Sequence, residues 1–299
     1  MAASILYGLA SIPIALVYLP LQQFGLWAVT QQTMTFLALV DLGFSSALAR
    51  LLIDHKDQPR GEAYKSMIYM SRFIMIAQGI IVLLGGVALA FALPGFISIP
   101  EDLKTEFAWL LSAQAVVVAA GFTTKHYSQI LYAHHRLDIE SGIGSCGFVL
   151  QLLTLWVGFQ LNAGIFALVW ASAAGWATTT VARALACRWL GLLPQTGERT
   201  RFTLRQLREV FGFGLGLFGV SVGSVLVIST QALIIAKFIG LAEAGIWTVC
   251  TRPFTIMLSI IWRPYDSSFT IISEMLVRHE YGHFLKWFVS LGKFTLGVS

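Results

Sequence analysis

The sequence predicts an all-α, polytopic transmembrane helix bundle of two parallel six-helix repeats, the second of them truncated. Three observations lead there. Of 299 residues, 57% are hydrophobic and 12% charged, with a mean hydropathy of +0.74, whereas about a quarter of a soluble domain is charged. Apolar runs recur at the ~20-residue length that crosses ~30 Å of hydrocarbon. Finally, Gly25-Leu26-Trp27-Ala28-Val29 returns as Gly245-Ile246-Trp247-Thr248-Val249, 220 residues later. Both copies have an apolar approach upstream (Leu16 to Leu19, Ala236 to Ile239) and polar positions at mid-depth downstream, as in a duplicated unit.

The apolar runs fall near 2–20, 25–50, 66–93, 107–132, 138–159, 163–186, 211–239 and 244–273, and a ninth begins near Phe284. That makes about eight spans plus part of a ninth. A transmembrane barrel would instead show alternating segments of ~10 residues. No basic residue precedes the first run, and it leads directly into a second span, so it reads as a retained helix rather than a cleaved leader. Cys146, Cys187 and Cys250 are isolated within or at the ends of apolar runs and suggest neither a disulfide framework nor a metal site. Gly212, Gly214, Gly216 and Gly219 superficially resemble a phosphate loop, but in a membrane span small residues serve close helix packing. No Walker A motif and no ligand-spaced cluster is present, so no cofactor is expected.

Loop charge alternates strongly. Arg50, Lys56, Arg60 and Lys65 follow the second span, and His134, His135 and Arg136 follow the fourth. Arg188, Arg199, Arg201, Arg205 and Arg208 follow the sixth, and Arg278, His279 and Lys286 the eighth. The intervening turns are uncharged or acidic, as in Glu101-Asp102-Leu103-Lys104-Thr105-Glu106. The positive-inside rule then puts the N-terminus in the cytoplasm. The net charge of +5 serves orientation and anionic membrane lipids rather than nucleic acid.

Six spans separate the two glycine-tryptophan turns, so both copies enter the membrane in the same direction. The organisation expected is a six-helix lobe at 1–190, a basic cytoplasmic linker at 191–210 and the first part of a second lobe at 211–299. Thr203-Leu204-Arg205-Gln206 in the linker has the form of a capping box. Around it, Phe202, Leu204, Leu207 and Val210 alternate with arginines. That pattern fits a helix lying in the headgroup layer or a plain basic connector.

Ionisable groups inside spans face a bundle interior or an aqueous cavity, because exposing them to lipid costs a few kcal/mol or more. In the eighth span Arg252, Arg263 and Asp266 share one helical face, with the arginines about 16 Å apart along the axis, and Arg263 and Asp266 spaced to pair. Pro253 and Pro264 each follow an arginine, which predicts kinking or local unwinding at both. Asp41 lies deep in the second span and Lys125 in the inner part of the fourth. Gln31 and Gln32 stand at the repeat positions of Thr251 and Arg252. Arg252, Arg263 and Lys125 would line a cationic cavity between the lobes, suited to an anion that Arg grips through two hydrogen bonds. Asp41 and Asp266 have a second reading, as buried ion pairs that fix helix register. Arg72 reads as snorkelling to the interface.

Phe24-Gly25-Leu26-Trp27-Ala28-Val29 followed by Leu39-Val40-Asp41-Leu42-Gly43-Phe44-Ser45-Ser46-Ala47-Leu48-Ala49-Arg50 resembles the start of the oligosaccharide flippases. These form the Wzx-like polysaccharide-biosynthesis branch of the multidrug/oligosaccharidyl-lipid/polysaccharide exporter superfamily. Tyr132 to Arg136 and Leu207 to Gly214 fit the same pattern. The resemblance implies two six-helix lobes working by alternating access in the bacterial inner membrane. Their substrate would be a polyprenyl-pyrophosphate-linked oligosaccharide bound for O-antigen, capsule or exopolysaccharide, with a polysaccharide polymerase and other assembly proteins as partners. Arg252, Arg263 and Lys125 would then contact the pyrophosphate or acidic sugars, with Asp41 and Asp266 beside them. The alternative is a cation-coupled multidrug exporter of the same superfamily, which would use Asp41 and Asp266 to grip cationic drugs. A membrane glycosyltransferase would need a catalytic loop on the outer face, where no loop exceeds about fifteen residues, so no enzymatic activity is expected. With a second lobe this short, the chain by itself is not expected to transport.

Overall fold

A computed structural model of the chain describes residues 2–55, 61–97, 99–194, 212, 218–219, 221–227, 229–277 and 281–298. Every regular element among the described residues is helical: α1 (Ala2–Tyr18), α2 (Leu21–Leu37), α3 (Phe44–Asp54), α4 (Glu62–Ala92), α5 (Glu101–Thr124), α6 (His126–Ala133), α7 (Leu137–Gln160), α8 (Phe166–Trp189), α9 (Gln231–Phe238), α10 (Leu241–Val277) and α11 (Tyr281–Val298). Short 3₁₀ turns at Ala38–Asp41 and Leu93–Gly95 extend α2 and α4. Most of the basic linker, with its capping box, lies outside the described residues.

Local chemistry sets these boundaries. Pro20 and Pro100 hold an extended backbone immediately before α2 and α5, where a missing N–H costs nothing. Glu101 and Asp102 in the first turn of α5 complement the positive end of its dipole. Asn162 and Gly164, both with left-handed φ (57° and 55°), turn α7 back into α8.

Five helical stretches are long and apolar enough to cross a membrane: Glu62–Gly95, Glu101–Ala133, Leu137–Gln160, Ser221–Phe238 and Leu241–Ile261. A sixth is the pair α2 and α3, bent by 42° at the break between them. The two further runs read from the sequence are helical but different in kind. The first is shorter, Ala3–Tyr18. The other, α8, has 24 residues but is rich in alanine and threonine, small residues that favour helix contact over hydropathy. Around the bundle, Phe73, Phe91, Trp109 and Trp189 are exposed, as befits side chains that meet hydrocarbon.

The bundle is assembled from the hairpins α4/α5 and α7/α8, with α1 against α7 and α10 against α2. Two apolar cores close it. One gathers Leu19, Phe24, Leu26, Phe107, Phe159 and Leu168 near the acidic and uncharged loops. The other gathers Phe44, Leu48, Tyr64, Met75, Ile130 and Cys187 towards the basic loops. Helix α10 remains continuous past Pro253 and Pro264, so the unwinding expected at these prolines does not occur. Each proline removes a single N–H. Near the first, the Thr255 hydroxyl donates to the Arg252 carbonyl at 2.8 Å and steadies the turn.

The repeated glycines meet. A Cβ on Gly25 would collide with the Leu241 carbonyl, and one on Gly245 would come within 3.0 Å of the Leu21 carbonyl and 3.1 Å of the Gly25 nitrogen. Leu21 and Leu241 are themselves related by the 220-residue offset. The contact is therefore reciprocal: each copy's glycine accepts the other copy's backbone. Parallel repeats related by an axis along the bundle are expected to meet in this way, and only a missing side chain permits so close an approach.

Gly25→Ala is expected to destabilise the protein by about 1–3 kcal/mol through overpacking, read as a lower thermal midpoint in detergent. Gly245→Ala should cost less, because its new carbon has more room. Gly142→Ala, which has nothing within 4 Å of the added carbon, should leave the midpoint unchanged or slightly higher.

Candidate binding site

Polar groups inside the bundle gather at three places, and the first is the break in the second span. After the 3₁₀ turn ending at Asp41, Leu42 and Gly43 both take left-handed conformations, with φ of 50° and 71°. Such a break orphans backbone groups that lipid cannot satisfy. Here side chains do so. The Asp41 carboxylate accepts from the Ser45 N–H at 3.3 Å and from its hydroxyl at 2.5 Å. Gln78 Nε2 donates to the carbonyls of Val40 (3.0 Å) and Asp41 (3.2 Å). Lys125 Nζ then donates to Asp41 Oδ1 at 3.0 Å. Two of the sequence-derived site residues are thus brought together, as an ion pair. The acid is the more covered partner, with its side chain 18% exposed against 36% for the lysine.

The second place is a cavity of about 490 Å³ between α5, α7 and α8, roofed by Ala38. Lys125 and Arg183 stand on its wall with Gln114, Gln151, Trp176 and Phe148. Arg183 is forked onto Glu140, with Nε to Oε2 at 3.0 Å and Nη2 to Oε1 at 2.5 Å. Ser128 donates to the same carboxylate at 3.1 Å. The sequence reading missed this pair. A signal for it was present: Glu140 and Arg183 are equidistant from the Leu161–Asn162 turn, so an antiparallel hairpin sets them at equal depth.

The third place is Arg252. It packs against Gly8 of α1, where a Cβ would meet its Nη2 at 3.0 Å and its Nε at 3.3 Å. Its Nε is buried without a hydrogen-bond partner, as is Oε1 of Gln32. These residues lie at equivalent repeat positions, each seven residues beyond a crossing glycine and so within about 20° of the same helical face. The stretch of α1 at Tyr7 and Gly8 connects this place to the cavity: the Tyr7 ring lies 5.7 Å from that of Phe148. Arg252 does not line the cavity that holds Lys125, so the structure separates these two cations. Arg263 and Asp266 belong to α10 by their backbone, and their side chains lie outside the described residues.

The structure is that of a multi-pass helical membrane protein with amides buried inside its bundle and part-buried cations beside them. Residues 18–275 match the family model described as polysaccharide biosynthesis protein, and the chain belongs to that family. No significant match was found among curated proteins or among solved structures.

Lys125→Met should lower stability by about 1–3 kcal/mol, the cost of leaving a part-buried partner unpaired. Asp41→Ala should cost more, since it also strips the Ser45 N–H. In the double variant the losses should fall short of additive, a coupling measurable by thermal unfolding.

Proposed function

We propose that the chain is a flippase. It carries polyprenyl-pyrophosphate-linked oligosaccharide across the bacterial inner membrane for O-antigen, capsule or exopolysaccharide, and it performs no covalent chemistry itself. The observation that carries this reading is the family match over residues 18–275, on a bundle that holds a part-buried cation, Arg252, whose Nε is covered and has no partner among the described residues. An arginine Nε–H without an acceptor is costly in a protein interior, and a pyrophosphate oxygen supplies an acceptor with matching charge. Arg263, eleven residues further along α10, extends the same face by helical spacing, with Asp266 three residues beyond it.

The ion pair supports a different role for two of the other candidates. Lys125 is engaged by Asp41, so its part is to neutralise and position that carboxylate rather than to grip phosphate. The same pairing weighs against a cation-coupled multidrug exporter, which needs free carboxylates. Working partners in this reading are the lipid-linked glycan, anionic lipids at the basic loops, and a polysaccharide polymerase with its assembly proteins. Alternating access between the two lobes supplies the movement.

In the bacterial host, Arg252→Gln should reduce surface glycan at least ten-fold at unchanged membrane abundance, with lipid-linked intermediates held on the cytoplasmic leaflet. Arg252→Lys should restore part of the loss, since it keeps the charge but not the two-pronged geometry. Normal display in Arg252→Gln would remove the assignment. For orientation, a cysteine placed among residues 101–106 should react with an impermeant thiol reagent on intact cells, and one among residues 134–136 only after lysis.

A further inference from the structure

We propose that the cavity between α5, α7 and α8 is a subsite for one uncharged pyranose ring, separate from the Arg252 position. It rests on the glycan-transport reading and specifies which part of the cargo this wall contacts. Size is the first argument. About 490 Å³ lies within the ordinary range for small-ligand sites. A second hollow of about 290 Å³ shares Gly144, Phe148 and Arg183 with it and reaches Ser4 of α1, which leaves room for a linkage to the next sugar.

Charge is the second argument. Lys125 and Arg183 are the cations on the wall, and each is already bonded to a carboxylate, at Asp41 and Glu140. The acids stand behind the cations and do not line the large cavity. Both cations keep spare N–H donors, but each charge is already balanced by its carboxylate, so the wall offers an anion little net attraction, and an organic cation would meet lysine and arginine first. A neutral ligand meets neither penalty.

Hydrogen-bonding capacity is the third. Gln114 is 4% exposed, and its Oε1 has no partner, so it needs a donor from whatever fills the space. The hydroxyls of Ser172 and Thr179 donate into their own helix at 3.0 and 2.8 Å, which turns their lone pairs outward as acceptors. The Gln151 carboxamide lies against Gly175 and can both donate and accept. A hydrocarbon chain would leave these groups unsatisfied, whereas a ring of hydroxyls satisfies them. Trp176, fixed by its Nε1–H to the Thr124 hydroxyl at 3.2 Å, presents an apolar face to the C–H side of such a ring.

Gly144 gives a direct test. It lines both hollows, and a Cβ built on it meets nothing within 4 Å, so a side chain can start there without a clash and Gly144→Leu should take up space in the cavity. The full chain would be placed in lipid nanodiscs free of glycoside detergent and titrated with methyl glucoside, methyl galactoside and methyl N-acetylglucosaminide. Binding would be read by saturation-transfer NMR. At least one neutral pyranoside should show saturable transfer, reduced five-fold or more in Gly144→Leu and in Gln114→Leu and retained in Gly142→Leu. Glucuronate and inorganic pyrophosphate should not displace it. No transfer from any of the three pyranosides, transfer that survives Gly144→Leu, or displacement by glucuronate would each overturn the proposal. The Arg252→Gln variant separates the two ideas: it should keep the pyranoside signal, so normal glycan display in that variant would end the Arg252 assignment and leave the sugar site standing.

Discussion

The ion pair between Asp41 and Lys125 ties together two places where long helices of the bundle change course. Asp41 closes the 3₁₀ turn between α2 and α3, and Lys125 sits at the junction of α5 and α6. Inside hydrocarbon no solvent can satisfy a broken helix, so any break has to bring its own partners. The carboxylate takes the first free N–H of α3, Gln78 takes the carbonyls released at the end of α2, and Lys125 balances the charge. This set keeps Leu42 in a left-handed conformation that a bulky side chain rarely adopts. It also directs α3 onto α6, where Phe44, Leu48 and Leu52 join Ile130 and Leu131 in the second core.

Much of the architecture was legible because a membrane imposes one dominant pattern. Runs of about twenty apolar residues and alternating loop charge are direct consequences of hydrocarbon thickness and lipid charge. The contacts between spans were less legible. Asp41 and Lys125 are 84 residues apart on helices that share no hairpin, and no local spacing predicts their meeting. The Glu140 and Arg183 pair was accessible, since a single turn sets its register. The recurrence of the glycine-tryptophan motif could be read, but not that its two glycines touch, because sequence similarity does not record which faces meet. Continuous helix past Pro253 and Pro264 shows the opposite limit: the local rule is sound, yet one missing N–H does not break a long helix.

The polar residues divide by whether they are matched. The part-buried cations at Lys125 and Arg183 are each held by an acid, so their charges are compensated. At Arg252 and Gln32 a donor and an acceptor are left without partners at equivalent positions of the two copies. Buried groups left unmatched are costly in a protein interior, and Gln78 and Gln114 carry such acceptors as well.

The glycine crossing also has a mechanical meaning. It lies close to one end of both α2 and α10, and from Gly245 the latter continues for 32 residues to Val277, ~48 Å at 1.5 Å per residue. Two rods touching near one tip, with bare backbone at the point of contact, form a lever with a very short arm and a very long one. A tilt of ~10° about that point scarcely disturbs the touching atoms yet carries the distant end ~8 Å over the same length. Small adjustments at a pair of hydrogen-sized side chains thus become helix-width displacements on the far side of the bilayer.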